Sequence, residues 1–215
     1  MKTETFLSRM LLLAGAVVVS LSLCTACGGD DDDDPAPAPE ASPTAVSFYK
    51  DNDLYADGTL VYHLESDVDK EMSVWYPLDK DGIKEANVPA RLSYGGEIYT
   101  VTQLSTYAFA HCYNLKKAVI PSPVTALGDY SFAWDESLTT VSLSPALTTI
   151  GEYAFAWCKN LTSVNIPATV TSIGENAFGW CNKLENVYVH WQKPISISSS
   201  AFLYIPRPHR HQGGL

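Results

Sequence analysis

The stretch AFAWCKNLTSVNIPATVTSIGEN, Ala154 to Asn176, decides the fold because its neighbours copy it. Anchored on an Ala-Phe or Ser-Phe pair, the copies begin at Ala108, Ser131, Ala154, Ala177 and Ala201, at spacings of 23, 23, 23 and 24 residues. A fixed period of that size marks a solenoid of stacked coils. Apolar residues stand at Leu161, Val164, Ile166, Val170, Ile173, Ala177, Phe178 and Cys181. That spacing is neither a helical stripe nor one long alternating strand. It fits a coil that turns its interior residues inward once per circuit. One copy has too few large apolar side chains to offset the entropy of ordering its own backbone, so stacking is what lets the chain fold.

At 215 residues the chain has room for one globular unit and a tail, and its 46% hydrophobic content supports a sizeable core. The net charge of −10 argues against a nucleic-acid partner, and no basic patch alternates with aromatic residues. Much of the acidity lies in one run, Asp30 to Asp34, and so describes a tail more than a domain.

Residues 1–26 read as a signal peptide. Lys2 and Arg9 precede an apolar stretch from Leu11 to Leu23, too short for a comfortable membrane span. Thr25-Ala26-Cys27 resembles a lipobox, which makes Cys27 the lipidation site; the other reading is an ordinary signal peptide cut nearby. Acyl chains on Cys27 would tether the mature protein to a membrane, the only membrane contact expected. The Cys-Gly-Gly-Asp-Asp sequence beginning there resembles lipoproteins of anaerobic Gram-negative bacteria that use an acidic signal for export to the outer face. Residues 27–45 continue as an acidic and Pro/Ala-rich tether that lifts the rest off the surface. The localisation implied is the outer membrane, facing the cell exterior.

Residues 46–103 read as strands joined by turns, with Asp57-Gly58, Asp81-Gly82 and Gly95-Gly96 as the turn signals. The aspartates at 51, 53, 57, 79 and 81 lack the spacing of a calcium loop, and turn chemistry accounts for them. This β-hairpin segment is expected to cap the first coil. Residues 104–205 form the array, and residues 206–215 a disordered tail that leaves the last coil without cover. LKKAVIP, LTTVSL, LTSVNIP and LENVYV should stack as one parallel sheet. Gly128, Gly151 and Gly174 recur in one phase, suggesting turns with φ above zero. Each Ala-Phe-x-x-Cys stretch is expected to form a short helical turn or tight arc on the opposite side.

LTSVNIPATVTSIGENAFGWC resembles the BspA-type leucine-rich repeat of bacterial surface lipoproteins, and residues from roughly Thr100 to Phe202 carry the likeness. It implies a leucine-rich-repeat solenoid of 23-residue coils, parallel strands and short helical turns, with an N-terminal β-hairpin cap. It also implies adhesion to host or neighbouring-cell matrix and serum proteins. One departure stands out: Asp135 occupies the place held by Cys112, Cys158 and Cys181 in the other coils.

Three constellations are candidates for function. Cys158 and Cys181 fall on adjacent rungs, either as buried thiols or within reach of a disulfide. His111, Trp134, Trp157 and Trp180 share a phase. They form either an outward aromatic ladder for sugar faces or partner proteins, or a column packed over the coil edge. On the sheet, Lys117, Thr140, Ser142, Ser163, Asn165, Asn186 and Tyr188 should point outward, the surface that repeat folds commonly use for proteins. No nucleophile elbow, zinc-protease helix or phosphate loop occurs, so neither catalysis, metal nor cofactor is expected. The expected role is a surface-exposed module for protein binding and adhesion. The alternatives are a non-catalytic glycan-binding accessory using the Trp ladder, or a passive structural array.

Overall fold

The structure is a computed structural model, and it describes residues 42–50, 53–189 and 195–205. The expectations for the signal peptide, Cys27, most of the tether and the tail at 206–215 lie outside these residues.

Eight strands precede the regular coils: β1 (Thr44–Ala45), β2 (Ser47–Lys50), β3 (Leu54–Ala56), β4 (Leu60–Ser66), β5 (Glu71–Pro77), β6 (Glu85–Asn87), β7 (Arg91–Tyr94) and β8 (Glu97–Leu104). The turn residues explain the pairing. Asp57 Oδ1 accepts the N–H groups of Thr59 and Leu60 at 2.7 and 2.8 Å, and Gly58 takes φ +94°. That closes the antiparallel β3–β4 pair, which continues through β4–β5. Gly95 and Gly96, at φ +62° and +87°, close the β7–β8 hairpin with the left-handed pair that a two-residue loop favours. Asp79 Oδ1 accepts the Gly82 N–H at 2.8 Å, so this aspartate too serves a turn.

The coils then supply β9 (Lys117–Val119), β10 (Ala126–Leu127), β11 (Thr140–Ser142), β12 (Thr149–Ile150), β13 (Ser163–Ile166), β14 (Ser172–Ile173), β15 (Asn186–Val189) and β16 (Ser196–Ile197). They build two parallel ladders. One runs β8-β10-β12-β14-β16 and joins the N-terminal strands where β5 lies parallel to β8. The other runs β6-β9-β11, followed by a separate β13-β15 pair. The single sheet expected from LKKAVIP, LTTVSL, LTSVNIP and LENVYV is therefore divided. At the break the second coil carries Leu143-Ser144-Pro145 where its neighbours carry Ile-Pro. Leu143 is half-buried there, whereas Ile120 and Ile166 are buried.

The first rung comes earlier than the repeat spacing indicates. Glu85, Ala86 and Asn87 pair in register with Lys117, Ala118 and Val119. The Lys84 carbonyl accepts from Lys116 and Lys117 as the Lys116 carbonyl accepts from Thr139 and Thr140. IKEANVP is thus a copy of LKKAVIP, hidden from the period by the β7–β8 hairpin that interrupts its coil.

The core is a continuous column. Phe109, Phe132, Phe155 and Phe178 are fully buried and stack with Phe202 at ring spacings of 5.1 to 5.2 Å. Leu115, Leu138, Leu161 and Leu184, all buried, form a second column through the same rungs.

Two local expectations are corrected. Gly128, Gly151 and Gly174 are not at positive φ. They are glycines because the coils touch there: a Cβ on Gly151 would lie 2.6 Å from Asp129 Oδ1 and 2.7 Å from the Asp129 nitrogen and the Gly128 carbonyl carbon. Gly151→Ala should therefore cost about 1–3 kcal/mol by overpacking, read as a lower urea midpoint. Unchanged stability would mean that the coils part freely at this seam.

The Ala-Phe-x-x-Cys stretch is the tight arc rather than the helical turn, and no helix occurs among the described residues. Its N–H groups alternate. Tyr107, Phe109 and His111 donate to Asp129, Ser131 and Ala133 of the next coil, while Ala108, Ala110 and Cys112 donate to carbonyls three residues back. Every second donor is thus drawn into the stack, leaving too few for a helix.

Candidate functional site

The arc carries the most distinctive surface. Tyr107, His111, Tyr130, Trp134, Tyr153, Trp157, Asn176, Trp180 and Tyr204 all have positive φ, between 48° and 64°. For residues other than glycine this conformation is disfavoured, and here it is offset by the inter-coil bonds of the arc and by ring stacking. His111, Trp134, Trp157, Trp180 and Tyr204 form one column with centroids 4.4 to 4.9 Å apart. Tyr107, Tyr130 and Tyr153 form a second, at 4.8 Å. The two run side by side, with Tyr130 6.0 Å from Trp134 and Tyr153 6.1 Å from Trp157.

Both readings of the Trp phase meet in this geometry. The three tryptophans are half-buried, and each covers its neighbours' faces. Solvent meets their rims. His111 at one end is exposed and bonds Tyr113 Oη through Nδ1 at 2.8 Å. Tyr204 at the other end is 63% exposed. Stacking a sugar on an aromatic face is therefore possible only at the column ends. The tyrosine column was missed from sequence, although its signal was present: the residues before the first four Ala/Ser-Phe pairs are Tyr107, Tyr130, Tyr153 and Asn176.

Directly inside the arc lies the cysteine column. Cys112, Cys158 and Cys181 are free and fully buried. Cys158 and Cys181 donate S–H to the Phe132 and Phe155 carbonyls, at 3.2 and 3.1 Å. Burial pushes the Cys112 and Cys181 thiols up to about 12 and raises Cys158 as well. These thiols act as small hydrophobes rather than nucleophiles.

Asp135 breaks the column. It is fully buried, its Oδ1 accepts the Cys112 N–H at 2.8 Å, and its Oδ2 has no partner. Burial raises its carboxyl well above the ordinary value, against the opposing effects of the Cys112 N–H and Lys80.

The outward strand positions form a third feature. Lys117, Thr140, Ser142, Ser163, Asn165, Asn186 and Tyr188 are all exposed. Thr140 lies beside Lys117, Ser163 beside Asn186, and Asn165 beside Tyr188. The division of the ladder separates the first three from the last four. Below β15 a shallow groove of about 410 Å³ is lined by Leu184, Val187, Tyr188, Phe202 and Ile205. Among the described residues, no group of three or more His, Cys, Asp or Glu is placed to hold a metal ion.

Comparison with known proteins agrees with this architecture. The family described as "BspA type Leucine rich repeat region" matches residues 102–207 in six copies. A Bacteroides capillosus leucine-rich repeat protein is 30% identical, with a TM-score of 0.58, over 64% of this chain and 99% of its own. The T. pallidum leucine-rich repeat protein is 26% identical, with a TM-score of 0.59, over 66% of this chain and 63% of its own, so this chain spans less than two thirds of that protein. A leucine rich cell surface protein of Faecalibacterium prausnitzii shares the fold at 24% identity, with a TM-score of 0.55, over 71% of this chain and 46% of its own. No curated protein matches the chain.

Proposed function

This chain belongs to the BspA-type leucine-rich repeat family, and from that premise we propose that it is a protein-binding module displayed at the cell surface and used for adhesion. The observation that carries the reading is the repetition of exposed side chains, rung by rung, on a surface that is broad and shallow. Such a surface offers many weak contacts to a macromolecule and little enclosure to a small ligand. Tyr188, 56% exposed beside Asn165, is the strongest anchor on the strand face, since exposed tyrosines supply large contact area at low entropic cost. Lipid attachment at Cys27 and an acidic tether would hold the module at the outer membrane, facing outward. Its partners would be matrix or surface proteins of host or neighbouring cells. A glycan ligand is the weaker reading, because the Trp faces are occupied by one another.

The test is a binding panel. The full chain, immobilised, should bind at least one purified matrix or serum protein saturably. Tyr188→Ala with Asn165→Arg should weaken that binding by about tenfold. Binding only to a glycan array, lost with Tyr204→Ala at the column end, would favour the other reading; binding to neither would overturn the module.

A further inference from the structure

We infer that the aromatic arc is a docking surface for an extended, lysine- or arginine-bearing polypeptide segment, an inference that rests on the protein-binding reading above and names the chemistry of the partner. The arc presents ring rims rather than faces, so it offers phenol O–H and indole N–H donors between apolar edges. Those donors suit the carbonyls of an extended backbone laid across the coils. A helix would reach only a few of the rungs with its side chains and none with its own satisfied carbonyls.

The charge beside the rims selects the partner. Asp129, Glu152 and Glu175 stand immediately before Tyr130, Tyr153 and Asn176, and all three are exposed. They sit on successive coils, roughly 5 Å apart. The Glu152 N–H donates to Asp129 Oδ1 at 2.8 Å, which fixes the first carboxylate in the column. Among the described residues none of the three is in an ion pair. Three exposed carboxylates on neighbouring rungs make a strip of negative charge that attracts a cation from outside. Lysine and arginine match both halves of the surface, with apolar stems across the rims and charged heads at the carboxylates.

Asn176 adds a separate observation. It holds the tyrosine column's register position in the fourth coil, is 5% exposed, and its side-chain oxygen has no hydrogen-bond partner. The oxygen is itself shielded from solvent, so the group a docked segment would meet at this rung is the Glu175 carboxylate and not the amide. The net charge of −10 disfavours a second copy of this chain as the occupant, and it disfavours nucleic acid for the same reason.

The experiment titrates the full chain with a short synthetic lysine–alanine peptide, followed by tryptophan emission, beside a glutamate–alanine peptide of equal length and the polyamine spermine. The lysine peptide should bind saturably and more weakly at high salt, and the glutamate peptide should not bind. The triple variant Asp129→Asn, Glu152→Gln, Glu175→Gln should weaken binding by about tenfold or more. The control triple Asp81→Asn, Glu85→Gln, Glu185→Gln, which removes equal charge from exposed sites elsewhere, should leave it unchanged. Equal weakening by both triples would reduce the effect to net charge and overturn the docking surface. Spermine binding as tightly as the peptide would overturn the polypeptide as occupant. If a matrix or serum protein bound by the chain is bound equally by the arc triple, and the lysine peptide is not bound, this inference falls while the protein-binding reading stands.

Discussion

Phe155→Ala is expected to lower the unfolding free energy by about 3–5 kcal/mol. The ring is fully buried and stacks on Phe132 at 5.2 Å and Phe178 at 5.1 Å, so its loss opens a void against two coils at once. Stability in a solenoid resides in nearest-neighbour interfaces, and Phe155 belongs to two of them at the middle of the array. Phe202, half-buried and stacked in the described structure only on Phe178, should cost less on the same change. Urea unfolding followed by circular dichroism separates the two. A central substitution that also lowers the denaturant slope would show the array coming apart into independent halves. A cost for Phe155→Ala below about 1 kcal/mol, out of line with a buried aromatic, would mean that the column is not the core that joins the coils.

What could be read from sequence follows from which interactions are periodic. The 23-residue spacing and the phase of Phe, Leu and Cys were legible because each coil must place the same side chain under its neighbour. The Asp57-Gly58 and Gly95-Gly96 hairpins were legible because their turns need left-handed residues. The rung formed by IKEANVP was not, because the β7–β8 hairpin separates it from the rest of its coil. The backbone state of the arc was illegible for a different reason. Glycine is the ordinary mark of positive φ, yet here tyrosine, tryptophan and histidine hold it while Gly128, Gly151 and Gly174 do not. Inter-coil bonding and ring stacking overrule local preference there, and both depend on the neighbouring coil. The same dependence hid the candidate site. The residues before the first four Ala/Ser-Phe pairs show their period in sequence, but only the stacked geometry puts Tyr130 beside Trp134 and the Asp129 carboxylate against the Glu152 N–H.

Asp135→Cys should stabilise the protein, and the gain should depend on pH. The substitution restores the residue type found in phase at Cys112, Cys158 and Cys181. It removes a buried carboxylate oxygen without a partner, a defect that costs about 1–3 kcal/mol. The Cys112 N–H would not be orphaned, since it also donates to the Phe109 carbonyl at 3.1 Å. By the pattern of Cys158 and Cys181, the new thiol would donate to that same carbonyl. Burial holds the native carboxyl above its ordinary value, with Lys80 and the Cys112 N–H opposing and Cys112 and Cys158 as the neighbouring titratable groups. Below about pH 4 both the folded and unfolded chains carry the proton, and the aspartate contributes no pH dependence. As pH rises above that, the unfolded chain releases its proton first, so the native state binds more protons and stability falls until the folded group also ionises. The advantage of Asp135→Cys should therefore be smallest near pH 4, where the unpartnered oxygen alone sets it, and grow towards pH 7. Asp135→Asn, neutral and of the same shape, should show the same flattened pH profile even if its amide is poorly accommodated. Unfolding free energies in urea across that range decide the matter. A gain that is constant with pH would show that Asp135 destabilises the column by shape rather than by charge.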